Sequence, residues 1–180
     1  MFYLFGARAQ VGNDPMIAIA LGANLASPAG PPAETIAAAL DALNRNGVKI
    51  EAVSALYATP AWPDPADPSF ANAVARVDTA YSPVELMQVL HKIESAFGRT
   101  RGAKNAPRTL DLDLIDYQAR VEKGPPTLPH PRMAERAFVL IPLADVAPGW
   151  RHPATRRSVE DLVAALPKES RAAVVRLARA

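Results

Sequence analysis

The sequence predicts an α/β protein of the α+β type, with one antiparallel sheet that carries helices on one face. Three observations support this class. The first two are short apolar runs of strand length and longer segments whose apolar residues recur at helical spacing. The third observation is their order, strand, helix, strand, strand, helix, strand. This βαββαβ order is typical of ferredoxin-like folds.

Four segments have the length and composition of strands. They are short runs of apolar, branched and aromatic residues, bounded by glycine, proline or asparagine. We predict strands at Met16 to Leu21, Val48 to Tyr57, Phe70 to Thr79 and Leu110 to Tyr117.

Two helices are predicted between these strands and a third near the C-terminus. The first follows two consecutive prolines and ends at an Asn-Gly pair. The second begins at Ser82, where Glu85 completes a capping box. Ser158 and Asp161 repeat this pattern at the start of the third helix. Residues 118–180 are therefore expected to form a C-terminal elaboration of the core.

Composition excludes several classes of protein. The 180 residues suit one domain, and the absence of cysteine rules out disulfides and thiolate metal sites. No apolar run is long enough to span a membrane. The 20 cationic and 18 anionic side chains nearly balance. We predict a single cytoplasmic domain over residues 16–180, a monomer without a membrane partner, after a disordered extension over residues 1–15.

Two aspartates share one face of the last predicted strand. In residues 110–114 (Leu-Asp-Leu-Asp-Leu), alternation places the leucines on one face and Asp111 and Asp113 on the other, with carboxylates about 7 Å apart. Magnesium prefers hard oxygen ligands and is commonly held by one or two carboxylates together with substrate phosphates. An edge strand whose polar face points to water would show the same alternation, so the pattern alone leaves both interpretations open.

A basic loop directly precedes this strand. Residues 98–108 contain Arg99, Arg101, Lys104 and Arg108 and no acidic residue. Magnesium and arginine together neutralise polyphosphates in phosphoryl transfer, whereas a solvated basic loop without a ligand is the alternative. Neither a G-x-x-x-x-G-K-[ST] nor a G-x-G-x-x-G motif is present. The combination predicts phosphate handling by a loop of another kind.

Aromatic and amide side chains around the third strand suggest a slot for a heterocycle. They occur in residues 59–62 (Thr-Pro-Ala-Trp) and 70–72 (Phe-Ala-Asn). Packing in the core or in a loop would explain these aromatic residues equally well. His130, between two prolines, is in the same way either a functional residue or a hydrogen-bonding anchor of its loop.

Several blocks of the chain form an ordered set of short motifs. The most diagnostic is residues 107–113 (Pro-Arg-Thr-Leu-Asp-Leu-Asp). The supporting blocks are residues 19–25, 57–60, 70–72, 93–94 with 98–99, 128–131 and 136–138. Together they extend over roughly residues 16–150, which covers the whole predicted core. In this order the blocks resemble the 6-hydroxymethyl-7,8-dihydropterin pyrophosphokinase family.

The resemblance implies transfer of the β,γ-diphosphate of ATP to the pterin hydroxymethyl oxygen, leaving AMP, in folate biosynthesis. It implies that Asp111 and Asp113 bind two magnesium ions and that ATP is the co-substrate. It also implies that Arg99 and Arg108 hold the phosphates, while Arg101 closes in as the transition state forms. These five residues are the predicted catalytic set.

The resemblance also implies contacts to each substrate. Besides Arg99 and Arg108, the ATP contacts are Glu94, His130 and Arg136. The pterin contacts are Thr59, Pro60, Trp62, Phe70, Asn72 and Phe138. The two phenylalanines would enclose the pterin ring, and the asparagine would form hydrogen bonds with the ring edge.

The chain departs from the family pattern in its basic loop. Many members have Arg-Trp-Gly before the diagnostic block, where this chain has Asn105-Ala106 in a loop one residue shorter.

Two other functions compete with the implied one. A ferredoxin-like RNA-binding module is disfavoured because the aromatic signature is missing and two aspartates would face phosphate, so no nucleic-acid partner is expected. A nucleotidyl- or glycosyltransferase would share the metal site and differ in acceptor.

Overall fold

The computed structural model describes residues 15–61, 64, 66–99 and 108–178. Its strands are β1 (Ile17–Ala23), β2 (Lys49–Val53), β3 (Tyr57–Thr59), β4 (Phe70–Asp78), β5 (Asp111–Tyr117) and β6 (Val175–Arg176). Its helices are α1 (Pro32–Arg45), α2 (Pro83–Ala96), α3 (Ala137–Val146), α4 (Val159–Ala165) and α5 (Lys168–Ala172), with a 3₁₀ turn over Met133–Glu135. Except for its last residue, the predicted extension over residues 1–15 lies outside the described part of the chain.

The strands form one antiparallel sheet in the order β5-β1-β4-β3-β6, and β2 pairs with β4 beyond the end of β3. The long strand β4 therefore has β1 on one side and both β2 and β3 on the other. This order, together with α1 and α2 as the two crossover helices, confirms the predicted ferredoxin-like core.

The strand predicted over residues 48–57 is divided into β2 and β3. At the break, the Ser54 hydroxyl donates to the Ala55 carbonyl at 2.7 Å and accepts from the Val74 N–H at 3.0 Å. Asp145 of α3 accepts from the Ala55 N–H at 3.1 Å and from the Tyr57 hydroxyl at 2.9 Å. Side chains thus replace the ladder hydrogen bonds at the point where the strand is interrupted.

The two faces of the sheet are covered by different helices. One core contains α1 and α2 with β1, β4 and β5, including the fully buried Ile19, Leu40 and Leu90. A second core, on the opposite face, contains α3, α4 and Trp150. The C-terminal elaboration therefore adds a helical layer of its own, and it leaves uncovered the region where β1 ends and β4 and β5 begin.

Two helix starts follow the predicted capping chemistry. At α2, Glu85 accepts from the Ser82 N–H at 2.8 Å, and the Ser82 hydroxyl caps the Glu85 N–H. The same reciprocal pattern joins Ser158 and Asp161 at α4. Within the described residues, no helix has both the length and the apolar character that a membrane span requires.

Candidate active site

A cavity of about 500 Å³ opens on the sheet face opposite α1 and α2. Its floor is formed by β1, by the start of β4 and by the start of β5. One wall comes from the 3₁₀ turn and the start of α3, and another comes from the C-terminal segment. Most residues that were predicted to act on substrate lie in or beside this cavity.

The strand register brings predicted site residues of neighbouring strands side by side on the sheet. Gly22 pairs with Asp111 of β5 on one side and with Asn72 of β4 on the other, and Ala20 pairs with Asp113. The leucines that alternate with the two aspartates are buried in the core, whereas the Asp111 and Asp113 side chains are 24% and 33% exposed. The predicted division of this strand into an apolar and an acidic face is confirmed.

Arginine side chains surround the two carboxylates. Arg99 Nη1 lies 2.6 Å from Asp111 Oδ1, and Arg108 Nη1 lies 2.8 Å from Asp111 Oδ2. Arg136 Nη1 donates to Asp113 Oδ2 at 3.1 Å. Each carboxylate is therefore matched by at least one guanidinium, and the acidic pair is held without large mutual repulsion.

Glu94 of α2 lies behind this cluster and is buried. Its carboxylate accepts from the Leu112 N–H at 2.7 Å and also contacts the Arg99 guanidinium. Burial raises the pKa of the Glu94 carboxyl to about 7, although the Leu112 hydrogen bond and the Arg99 charge oppose the shift. The structure therefore places Glu94 where it orients Arg99.

His130 approaches the same cluster from the loop after β5. Its Nε2 lies 3.9 Å from Asp113 Oδ2. Its backbone N–H donates to the Ile115 carbonyl, and its ring Nδ1 accepts from the backbone N–H of Arg132. Burial lowers the pKa of His130 below its ordinary value, with Asp113 acting in the opposite direction. The ring is thus fixed by its own loop and faces the acidic pair.

The other end of the cavity is aromatic and carries a buried amide. Phe70 and Phe138 both line it. Asn72 donates through Nδ2 to Thr59 Oγ1 at 2.9 Å and to the Tyr57 carbonyl at 3.4 Å. A Cβ built at Gly22 would lie 3.4 Å from Asn72 Oδ1, so the amide oxygen is on the side of the bare glycine backbone. The slot can therefore present aromatic faces and one oriented acceptor.

Contacts at β3 and at the start of α3 hold the two sides of this slot in place. On the β3 side, Tyr57 is buried and donates to Asp145. Burial, and to a smaller extent this hydrogen bond, raises the pKa of the Tyr57 hydroxyl to about 12. On the helix side, the Arg136 guanidinium lies over the Phe138 ring at 5.6 Å from its centroid. One arginine thus contacts both an aspartate of the acidic pair and an aromatic ring of the slot.

The structure brings together the predicted residues of both substrate halves. Lining the cavity are Thr59, Pro60, Phe70, Asn72, Arg108, Asp111, Asp113, Arg136 and Phe138. Glu94, Arg99 and His130 lie beside it and contact its acidic end. Trp62 and Arg101 lie outside the described residues.

Sequence reasoning missed several cavity residues. Arg132 directly precedes the 3₁₀ turn and Glu135 ends it, whereas Ser170, Ala173 and Val174 come from the C-terminal segment. Arg132 follows the Pro-His-Pro block by one residue, which is the signal that could have found it. The C-terminal residues are small and apolar or hydroxylated, and no local pattern marks them.

The C-terminal wall is held in place by strand pairing. In β6, Val175 pairs with Ala58 and Arg176 with Tyr57 of β3, and the Leu177 N–H donates to the Leu56 carbonyl at 2.8 Å. Because β3 leads directly into Thr59, this pairing fixes the wall against the slot.

In the described part of the chain, the donor groups suit a cation that takes some of its ligands from the protein and the rest from the substrate. No cluster of three or more His, Cys, Asp or Glu side chains is arranged there for a metal ion. The acidic end offers two partly exposed carboxylates, which are hard oxygen ligands.

Comparisons with known proteins agree with this geometry. A family model described as 7,8-dihydro-6-hydroxymethylpterin-pyrophosphokinase (HPPK) matches residues 18–148. Two relatives named 2-amino-4-hydroxy-6-hydroxymethyldihydropteridine pyrophosphokinase are each 42% identical to the chain. The match to the Synechocystis protein covers 65% of this chain and 60% of the relative. The match to the Pseudomonas aeruginosa protein covers 84% and 91%.

The solved structures agree at the level of the fold. The chain is similar to crystal structures of Plasmodium falciparum HPPK-DHPS. One of these, the wild type with STZ-DHP, has a TM-score of 0.65 at 13% identity, covering 84% of this chain and 43% of that chain. The chain thus spans less than half of that protein. Since the family model covers most of the chain and both relatives match well above 30% identity, the chain belongs to the 7,8-dihydro-6-hydroxymethylpterin-pyrophosphokinase family.

Proposed function

We propose that this chain transfers the diphosphate of ATP to the hydroxymethyl group of 6-hydroxymethyl-7,8-dihydropterin, giving AMP and the pterin diphosphate. Family membership supports diphosphokinase activity in folate biosynthesis with ATP as co-substrate. The observation on which the proposal rests is the layout of the cavity, which has carboxylates and arginines at one end and aromatic rings with an amide at the other. That layout suits a polyphosphate donor beside a heterocyclic acceptor.

The aromatic end would bind the pterin. Phe70 and Phe138 would stack on the two faces of the ring. The Nδ2 group of Asn72 is already bonded to Thr59, so its Oδ1 is the atom that would accept a hydrogen bond from a ring N–H. A buried amide of this kind discriminates strongly against rings that lack the matching donor. We assign Thr59, Pro60 and Trp62 further pterin contacts.

The charged end would bind the nucleotide. Arg99, Arg108 and Arg136 now pair with aspartates, and they lie where a polyphosphate beside those aspartates would meet them. We assign the phosphates to Arg99 and Arg108, with Arg101 added in the transition state. We assign nucleotide contacts to His130 and Arg136. Glu94 would act on ATP mainly through Arg99, because its carboxylate is buried against that guanidinium.

The acidic pair fits magnesium. Asp111 and Asp113 supply hard oxygen ligands on one strand face, are partly exposed, and already have cationic groups on their oxygens. We propose that these two residues hold two magnesium ions together with the phosphates. When bound, the ions would neutralise phosphate charge and lower the pKa of the acceptor hydroxyl.

The protein's own part in the reaction is positioning and charge neutralisation. The pterin hydroxymethyl oxygen attacks the β-phosphorus, and the bond from that phosphorus to the oxygen bridging the α- and β-phosphates breaks. AMP leaves with that oxygen, and the hydroxyl proton passes to solvent. The phenylalanines hold the attacking group in line, while Arg99 and Arg108 offset the charge on the transferred diphosphate.

We further propose that residues 16–180 act as one domain, as a monomer in the cytoplasm, without a nucleic-acid or membrane partner. The lack of cysteine is compatible with a reducing compartment, and the near balance of charge gives no broad attraction to nucleic acid.

The proposed function is tested by separating the nucleotide products after incubation with ATP, magnesium and the pterin. We expect AMP and a diphosphorylated pterin in equal amounts, and neither when magnesium or pterin is omitted. Formation of ADP would indicate transfer of a single phosphate. Release of AMP without pterin would instead favour a nucleotidyltransferase with another acceptor, and either result would refute the proposal.

A further inference from the structure

Asn24, directly after β1, joins the two halves of the cavity through one buried side chain. It is 3% exposed and belongs to the Gly-Ala-Asn sequence that ends the strand. Its Nδ2 donates to the Pro68 carbonyl at 3.1 Å, and its Oδ1 accepts from the Arg108 N–H at 2.8 Å. The same amide therefore contacts residues 44 and 84 positions away along the chain.

Each partner of Asn24 leads into one half of the site. Pro68 stands two residues before Phe70, which begins β4 and lines the aromatic slot. Arg108 precedes β5, and its guanidinium bonds to Asp111 at the acidic end. The Arg108 carbonyl is fixed as well, because it accepts from the Asn24 N–H at 3.2 Å and from the Leu25 N–H at 3.3 Å.

The hydrogen bonds of the Asn24 side chain begin where strand pairing stops. The last register pairs here are Ala23 with Ala71 and Gly22 with Asp111. One residue further on, the Asn24 side chain continues the connection to both neighbouring segments. The planar amide offers a donor and an acceptor side by side, whereas an ionised aspartate lacks the donor and alanine lacks both.

We propose that Asn24 is a positioning residue that sets the phosphate-binding Arg108 relative to the pterin-binding Phe70. It acts through these segments, since its own side chain is buried between them. This inference rests on the proposed function, because it assumes that transfer requires both halves to be held in register. A displacement of about 1 Å in such a site can reduce turnover about 100-fold.

The test compares Asn24→Ala and Asn24→Asp with the wild type and with Asn46→Ala. The control removes a similar side-chain hydrogen bond, from Asn46 Nδ2 to the Ala42 carbonyl at the end of α1, far from the cavity. Measurements are kcat and KM for both substrates, melting temperature, and hydrogen exchange at the Arg108 N–H.

We expect Asn24→Ala to lower kcat about 100-fold and to accelerate exchange at the Arg108 N–H, with little change in the KM for ATP. Asn24→Asp, assayed at pH 8, keeps the acceptor for Arg108 and loses the donor to Pro68. It should therefore keep slow exchange at Arg108 and raise the KM for the pterin. The control should retain wild-type kcat.

Two results would overturn the inference. One is a kcat for Asn24→Ala within about twofold of the control when both are folded; the other is identical kinetics and exchange in the two Asn24 variants. A wild-type protein that makes no AMP from ATP and pterin would instead refute the proposed function itself.

Discussion

Replacing either aspartate of the acidic pair by asparagine separates its structural role from its catalytic role. Asp111 is bonded to Arg99 at 2.6 Å and to Arg108 at 2.8 Å, whereas Asp113 is bonded to Arg136 at 3.1 Å. The side chains in these pairs are 20–33% exposed, so solvent screens them partly. Each pair should then contribute about 0.5–1 kcal/mol to the free energy of unfolding.

These contributions predict an order of stability. Asp111→Asn should lose about 1–2 kcal/mol and Asp113→Asn about half of that. For a chain of this size the corresponding fall in melting temperature is about 2–8 °C for Asp111→Asn and about 1–4 °C for Asp113→Asn. Relief of the repulsion between the two carboxylates acts in the other direction, but three arginines already offset that repulsion.

Catalysis should respond differently from stability. If both carboxylates hold the metal, each variant should lose turnover about 1,000-fold or more, regardless of its melting temperature. The assay is AMP formation alongside thermal unfolding, with Asp78→Asn, an exposed residue at the far end of β4, as the control. Turnover within about threefold of wild type in both variants would refute the metal assignment. Equal melting temperatures for wild type and both variants would show that the arginine pairs contribute nothing.

Three further predictions concern the slot, the second core and the C-terminal wall. Asn72→Ala should weaken pterin binding about tenfold while leaving binding of an ATP analogue nearly unchanged, and equal losses in calorimetry would contradict the assigned ring contact. Burial raises the pKa of Asp116, which accepts from Trp150 Nε1 at 2.7 Å. The folded state therefore favours the protonated carboxyl of Asp116, so the wild type should lose stability relative to Asp116→Asn as the pH rises from about 4 through the raised pKa. Melting temperatures of the two proteins that change in parallel between pH 4 and 8 would refute this. Ala173→Phe should raise the KM for the pterin by filling the cavity, whereas the exposed Ala172→Phe should not, and identical KM values would exclude Ala173 from the pterin half.

Local patterns predicted the core elements because their determinants lie within each segment. The alternation of Leu112 and Leu114 with two aspartates defines both faces of β5. The capping boxes at Ser82 and Ser158 identify their helix starts from three-residue spacings. The same locality explains why the sequence alone could single out the acidic pair together with Arg99 and Arg108, which the structure places beside it.

Features that depend on distant partners could not be predicted. The break between β2 and β3 depends on Asp145, which is 90 positions from Ala55. Helix α3 is apolar on most sides and contains Pro142, so no helical stripe stands out. Strand β6 has only two residues and exists because β3 is there to pair with it. The C-terminal wall of the site was missed for the same reason.

The pairing of β6 with β3 also affects how the protein behaves in solution. Without β6, the outer edge of β3 would present unpaired backbone groups beside Leu56 and Tyr57, which is a template for pairing with the strands of other molecules. Removal of residues 174–180 should therefore promote aggregation as well as open the cavity. A loss of activity in such a truncated protein would therefore have two causes, the opened cavity and the aggregation.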